Sequence, residues 1–218
     1  MAEKRFGDIG NIFPGASDRE AQQLRQFCEL VEAWNRRTNL ISQQDAALLW
    51  ERHVLPSIIP LRFVEIPPES WVLDIGSGGG FPAIPLKILR PDLQMLLVDS
   101  VRKKTLFLQK AISDLKLGKI AAANRRVEEL ADRAELRESF DLITARAVGA
   151  IELLLDWGKP FLKSGGRWLL WKGASDIPEL EEIAPRRKLD YRVLSVPESL
   201  QSLSPKFKEL RWFEISRQ

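Results

Sequence analysis

Apolar residues Leu24, Phe27, Cys28, Val31 and Trp34 recur at intervals of three and four, the spacing of a helix that buries one stripe. Ser17 and Glu20 precede them in the S-x-x-E order of a capping box, so a helix is predicted to start there. Residues 1 to about 16, with Gly, Asn and Pro, read as a loose arm. A second helical stretch is predicted from Asp45 to Leu55, carrying Leu48, Leu49 and the only histidine, His53, and Pro67-Pro68 closes this helical cap. At Trp71 the period changes. Trp71-Val72-Leu73-Asp74-Ile75 is a short, nearly continuous apolar run, the signature of a parallel strand covered on both faces.

Glycines end that run, Pro82 suits the first turn of a helix reaching about Arg90, and the unit then repeats. Strands are predicted at Leu93–Val98, Ile120–Ala123, Phe140–Ala145 and Arg167–Trp171, the last after the turn Ser164-Gly165-Gly166. Helices are predicted at Ser100–Leu117 and Ile151–Trp157. Strands alternating with helices imply an α/β fold with a parallel, doubly wound, Rossmann-like sheet. Tyr191–Val196 and Leu210–Ile215 add an antiparallel edge pair. The division expected is an arm and cap over 1–68 and a sheet domain over 69–218, packed as one compact unit.

The 218 residues, 44% hydrophobic and 29% charged, are enough for one sizeable core. No apolar leader follows the basic opening and no 18-residue apolar run occurs, so an unexported, cytoplasmic protein without membrane association is expected. One cysteine, Cys28, excludes an internal disulfide and a cysteine-rich metal centre. No metal is expected, because a site would need carboxylates alone. A net charge of +3 is near balance, so only clustering of the 33 basic residues would favour a polyanion.

The chemistry begins at Asp74-Ile75-Gly76-Ser77-Gly78-Gly79-Gly80, where a strand meets a glycine loop at the end of the sheet that binds ligands. A dinucleotide fingerprint requires glycine at position 81, which is Phe81, and the Lys-Ser or Lys-Thr pair of a phosphate-binding loop is missing. What remains suits a smaller zwitterionic nucleoside, S-adenosylmethionine. Asp99, ending the second strand, is placed to accept hydrogen bonds from ribose hydroxyls. The alternative is an ordinary strand-to-helix turn with a solvated aspartate.

Here the residues resemble the bacterial 16S rRNA (guanine-N7) methyltransferases, also called the glucose-inhibited division protein B family. The resemblance rests on Trp34-Asn35, Asn39-Leu40, Arg52-His53, the segment Leu73 to Gly76, Phe81-Pro82, Ile84-Pro85-Leu86 and Val98-Asp99-Ser100. It continues through Arg126-Val127-Glu128-Glu129, Phe140-Asp141, Ala145-Arg146-Ala147 and Lys172-Gly173. It implies a class I S-adenosylmethionine-dependent methyltransferase acting on N7 of a guanine in the 530 loop of 16S rRNA, free or in the small ribosomal subunit, and working as a monomer. Asp74, Gly76, Gly78 and Phe81 would then hold the cofactor, Val127 and Glu128 would line its adenine, and Arg146 would face cofactor or target base. Two departures stand out: Pro56-Ser57 where the family has aspartate and serine, and no histidine after Arg211.

Guanine N7 is already a nucleophilic lone pair, so orientation rather than a general base should carry the reaction. Arg146 suits guanine O6 or a phosphate, and pairing with Asp74 or Glu128 is an equal reading. Arg36-Arg37, Arg102-Lys103-Lys104, Arg125-Arg126 and Arg186-Arg187-Lys188 are either a phosphate track or solvated surface. His53 reads as a hydrogen-bonded structural histidine, Trp168 and Trp171 as packing, and Asn39 as a tie for the loop after the first helix. Two other functions fit the same pattern: a methyltransferase of this fold acting on protein or a small molecule, or a non-catalytic RNA-binding assembly protein.

Overall fold

Strands form where the apolar runs predict them: β1 (Trp71–Ile75), β2 (Gln94–Asp99), β3 (Ile120–Asn124), β4 (Phe140–Arg146) and β5 (Leu162–Gly173). In the computed structural model, which describes residues 9–218, these five are parallel and stand in the order β3-β2-β1-β4-β5. Two more strands, β6 (Leu189–Ser195) and β7 (Leu210–Arg217), complete a seven-stranded sheet. Within β1 only Trp71 is exposed, because helices cover both faces.

The helices are α1 (Ile9–Ile12), α2 (Asp18–Asn35), α3 (Gln43–Ala46), α4 (Leu55–Ile58), α5 (Ala83–Leu89), α6 (Arg102–Asp114), α7 (Ile151–Gly158), α8 (Ile177–Arg187) and α9 (Glu198–Gln201). Helices α2, α5 and α6 pack with the rest of the cap on one face of the sheet in a single apolar cluster. On the other face, α7 and α8 enclose a second cluster around Phe140, Ile143, Trp168 and Phe213. The capping box forms as predicted, Ser17 Oγ accepting from the Glu20 N–H at 3.3 Å and Glu20 accepting from the Ser17 N–H at 2.6 Å. Leu24, Phe27, Cys28 and Val31 are buried below it.

Several expectations need correction. Part of the predicted arm lies outside the described residues, but residues 9–12 form α1, whose Ile9 and Ile12 are buried in the cap cluster. The single helix expected over 45–55 is broken into α3, a π-helical turn at Trp50–Val54, and α4. Pro56 is the cause: it has no N–H for the carbonyl of Arg52 four residues back, and the Leu55 N–H reaches five residues back to Trp50. The loop after α2 is tied by Asn35, whose Oδ1 accepts from the Leu40 and Ile41 N–H groups at 2.8 and 3.1 Å, and not by Asn39. Strand β5 starts at Leu162 and absorbs the predicted glycine turn, with a register shift opposite Phe140 and Leu142. The antiparallel edge pair forms as expected, with β6 outermost and β7 between it and β5, and Trp212, Phe213 and Ile215 of β7 are fully buried. Helix α8 was not predicted at all, because Pro178 and Pro185 interrupt the helical signal; both are accommodated, the first in the opening turn.

Gly158 closes α7 against the sheet, where an added Cβ would lie 2.7 Å from Ile143 Cδ1 and overlap the Trp168 indole. Gly158→Ala is expected to lower the unfolding free energy by roughly 1–3 kcal/mol through overpacking. Gly118→Ala, where nothing lies within 4 Å of the new methyl, should leave it unchanged or raise it by up to about 1 kcal/mol. Denaturant unfolding of the two variants side by side checks both.

Candidate active site

The loop after β1 is folded by its own backbone. The N–H groups of Gly76 and Ser77 both donate to the Val98 carbonyl at the end of β2, at 2.8 and 3.1 Å, and Gly80 N–H donates to Ser77 O at 2.7 Å. Gly76 (φ +68°) and Gly80 (φ +86°) adopt left-handed conformations that a side chain would strain. A Cβ on Gly76 would also lie 2.6 Å from Val148 Cγ2, and one on Gly80 would lie 2.8 Å from Ile84 Cγ1. Asp99 completes the tie: its Oδ2 accepts from Gly78 N–H at 2.9 Å and its Oδ1 from Val101 N–H at 2.8 Å. It is therefore not the solvated aspartate or exposed strand end that the sequence allowed, being only 6% exposed.

Beneath the loop lies Asp74, fully enclosed in the sheet. Its Oδ1 accepts from the Thr144 hydroxyl at 2.6 Å, while Oδ2 has no partner. Burial outweighs the hydrogen bonds and pushes its pKa up to about 6. Carboxyls with a pKa raised by burial cluster at functional sites, and this one lies one residue before Ile75, which lines a cavity.

Two cavities open at this end of the sheet. The first, of about 260 Å³, is walled by the ends of β1 to β4: Gly76, Asp99, Arg126, Val127, Glu128 and Val148 belong to its lining. Of the residues expected to hold the cofactor, Gly76, Asp99, Val127 and Glu128 thus come together. Asp74 and Gly78 support this cavity from behind, and Phe81 is buried between Phe27 and His53, with ring centroids 5.1 and 4.9 Å away. The second cavity, about 400 Å³, takes Arg146, His53, Arg52, Glu51, Pro56 and Lys172, with Lys206 and Glu209 from the segment before β7.

Arg146 lies in the second cavity, so neither Asp74 nor Glu128 is its partner. Its guanidinium donates to the backbone carbonyls of Arg52 and, at 3.2 Å, His53. The Arg52 carbonyl is the one that Pro56 leaves without a helical N–H. Burial lowers the Arg146 pKa to about 10, which keeps it charged at neutral pH, and two bonds leave three of its five donors. His53 is half as predicted. It is sequestered, and desolvation, reinforced by Arg146, lowers its pKa to about 4, so it is neutral; but its Nε2 has no hydrogen-bond partner and lies 3.7 Å from Asp45. Asp45 is engaged by Arg52 at 2.5 Å. Pro56, where the resembled family has aspartate, brings no acid to this wall, whereas Glu51, on the π-helical turn, does.

Of the basic clusters, Lys104, Arg125 and Arg126 line the first cavity, and Arg36 and Arg37 are exposed beyond α2. Arg186 and Arg187 instead pair with Glu152 and Asp156 on α7, at 2.6 to 3.1 Å, so that cluster is a helix-to-helix clamp. Sequence reasoning missed Lys206 and Glu51, whose only signal is tertiary. Among the described residues no group of three or more His, Cys, Asp or Glu side chains could hold a metal, and no helix is long and apolar enough to cross a membrane.

A family model described as "rRNA small subunit methyltransferase G" matches residues 20–205. Proteins named ribosomal RNA small subunit methyltransferase G are similar to this chain. The one from Brevibacillus brevis is 38% identical over 166 residues, 76% of this chain and 70% of its own. The one from Streptococcus pneumoniae is 35% identical over 190 residues, 87% and 79%. Solved structures share the fold at low identity. A precorrin-6y C5,15-methyltransferase from Geobacter metallireducens superposes with a TM-score of 0.55 at 15% identity, covering 83% of this chain and 92% of that one. A ribosomal protein L11 methylase from Lactobacillus delbrueckii gives 0.56 at 18%, covering 77% and 79%.

Asp74 gives a pH signature. Folding raises its pKa from 3.8 to about 6, so the folded chain holds the proton more tightly than the unfolded one. The group therefore destabilises wherever it is ionised, fully above about pH 6 and not at all below about 4. In Asp74→Asn the unfolding free energy relative to wild type should rise by about 3 kcal/mol between pH 4 and pH 7, two pKa units at 1.36 kcal/mol each. Denaturant curves across that range that keep a constant offset would show another group to be responsible.

Proposed function

The chain belongs to the rRNA small subunit methyltransferase G family, and we propose that it methylates N7 of a guanine in the 530 loop of 16S rRNA in the bacterial cytoplasm. Its coarser activity, S-adenosylmethionine-dependent methylation of small-subunit ribosomal RNA, follows from membership. The observation that carries the finer reading is Arg146, a buried cation with donors to spare in a cavity beside the one built by the glycine loop.

The first cavity fits the cofactor. Gly76 leaves its wall without a side chain, Asp99 presents carboxylate oxygens with lone pairs beyond the two loop N–H groups, and Val127 offers an apolar edge suited to adenine. S-adenosylmethionine supplies a methyl group activated by its sulfonium charge. Guanine N7 needs no proton removed, so the protein's work is to orient the base and exclude water. Arg146 suits O6, the acceptor next to N7, and its backbone anchors fix the guanidinium before substrate arrives. Lys104, Arg125 and Arg126 at one cavity and Lys172 and Lys206 at the other supply positive charge for phosphates on either side of a base drawn out of its stack. A single protein copy contains both cavities, consistent with action as a monomer.

With radiolabelled S-adenosylmethionine, the protein is expected to label the RNA of small subunits lacking the modification, and reduction with aniline cleavage should map 7-methylguanine to one site. Label that stays with protein or small molecules after RNase treatment would instead favour another acceptor.

Gly76→Val should lose stability to the left-handed φ and the clash with Val148, and its folded fraction should bind the cofactor at least about 100-fold more weakly, because the side chain occupies the space between loop and Val148. Near-native affinity in calorimetry would refute that geometry.

A further inference from the structure

Among the described residues six buried side-chain polar atoms have no hydrogen-bond partner, and two of them, Glu51 Oε2 and His53 Nε2, belong to residues lining the second cavity. Unpartnered polar atoms in a protein interior cost free energy, so the acceptor Glu51 Oε2 and the neighbouring ring nitrogen of His53 on one cavity mark a place completed by a polar ligand. The other acids on this wall are spoken for or outside: Asp45 is bonded by Arg52, and Glu209 is exposed. Glu51 is brought there by the π-helical turn at Trp50–Val54, which re-aims the residues before Pro56. The cavity thus offers a cation, Arg146, and a carboxylate with no donor of its own.

Guanine matches that pair of groups better than any other base. It presents N1–H and the N2 amino group side by side as donors on its Watson–Crick edge, with O6 between that edge and N7. A carboxylate accepts from both donors, and an arginine donates to O6. Adenine presents an acceptor at N1, which a carboxylate repels. We infer that Glu51 is a specificity residue, accepting hydrogen bonds from N1–H and N2–H of the target guanine and thereby selecting guanine over adenine; this rests on the guanine-N7 reading above. Methylation at N7 leaves the ring cationic, so the same hydrogen bonds strengthen as the product forms.

The test compares guanosine with inosine, which keeps N7, O6 and N1–H but lacks the 2-amino group. Small subunits are reconstituted from RNA carrying inosine at the position that the wild-type protein methylates, and kcat/KM is measured for both substrates with wild type, Glu51→Gln and Glu51→Asp. Wild type should prefer guanosine by about tenfold or more, the worth of one charge-assisted hydrogen bond. Glu51→Gln should bring that ratio to within about threefold of unity, because the uncharged amide has a single accepting oxygen and at best one weak neutral bond reaches the 2-amino group. Glu51→Asp should restore part of the preference. Since Glu51 Oε2 has no partner to lose, the melting temperature of Glu51→Gln should not fall and its cofactor affinity by calorimetry should match wild type. A wild type indifferent to inosine, or a Glu51→Gln variant that keeps the preference, overturns the inference and leaves the N7 reading standing. Absence of 7-methylguanine from wild-type reactions overturns both.

Discussion

At the end of β1 the chain has to turn in a space already filled from the neighbouring strand. Val148, just beyond β4, sits where a Cβ on residue 76 would point, and the next N–H groups are committed to the Val98 carbonyl of β2. Only glycine meets both demands, and its left-handed φ is part of the answer. Asp99 then fastens the far side of the loop through Gly78, while Asn124 at the end of β3 donates to the Asp99 carbonyl at 3.0 Å. Three strand ends are thus locked by a few short hydrogen bonds, and Val148 beyond the fourth packs where the missing side chain would be. The cavity above them is preformed by the same contacts that make the fold.

That rigidity comes with a buried carboxyl. Asp74 is shut inside the sheet with one oxygen unpartnered, an arrangement that opposes folding once the group is ionised. A threonine or asparagine would suit the core better, so the carboxyl has to be explained by what happens at the loop it underlies. The second cavity follows the same logic in reverse. Arg146 is a buried cation without a carboxylate partner, and backbone carbonyls substitute for one. Pro56 makes the substitution possible by leaving the Arg52 carbonyl outside the helical ladder.

How legible this was in the sequence depended on range. Apolar runs located β1, β2 and β4 closely, because burial on both faces leaves little other composition, and a shorter run located the outer strand β3. Ser17 and Glu20 located α2, because a capping box is a three-residue signal. Helix α8 and the inner position of β7 were invisible, since proline masks the first and strand order depends on tertiary pairing. In the site, Gly76, Asp99, Val127 and Glu128 came together as expected because each ends a strand or follows one within four residues, and the sheet fixes those ends. Arg146 was placed on the correct strand end but assigned partners from the wrong cavity, and Glu51 carried no sequence signal, because a π-helical turn decides where it points. Arg186 and Arg187, which the sequence leaves open between a phosphate track and solvated surface, pair with acids a helix away.

The turn of the backbone just past β4 explains why the strand ends face two cavities. Arg146 ends β4 and lines the second cavity, whereas Ala147 and Val148 line the first. Ala147 makes the change of side abrupt, with φ at +55°, a left-handed conformation that a residue with a Cβ adopts at a cost. Among the lining residues described, 146–148 is the one continuous segment that serves both cavities. The strain at Ala147 therefore sits at the junction between the cavity of the glycine loop and the cavity of Arg146. Local strain of this kind persists only when the surroundings over-determine it. Here they do so from both sides, with Val148 pressed on Gly76 and the Arg146 guanidinium bonded to the carbonyls of Arg52 and His53.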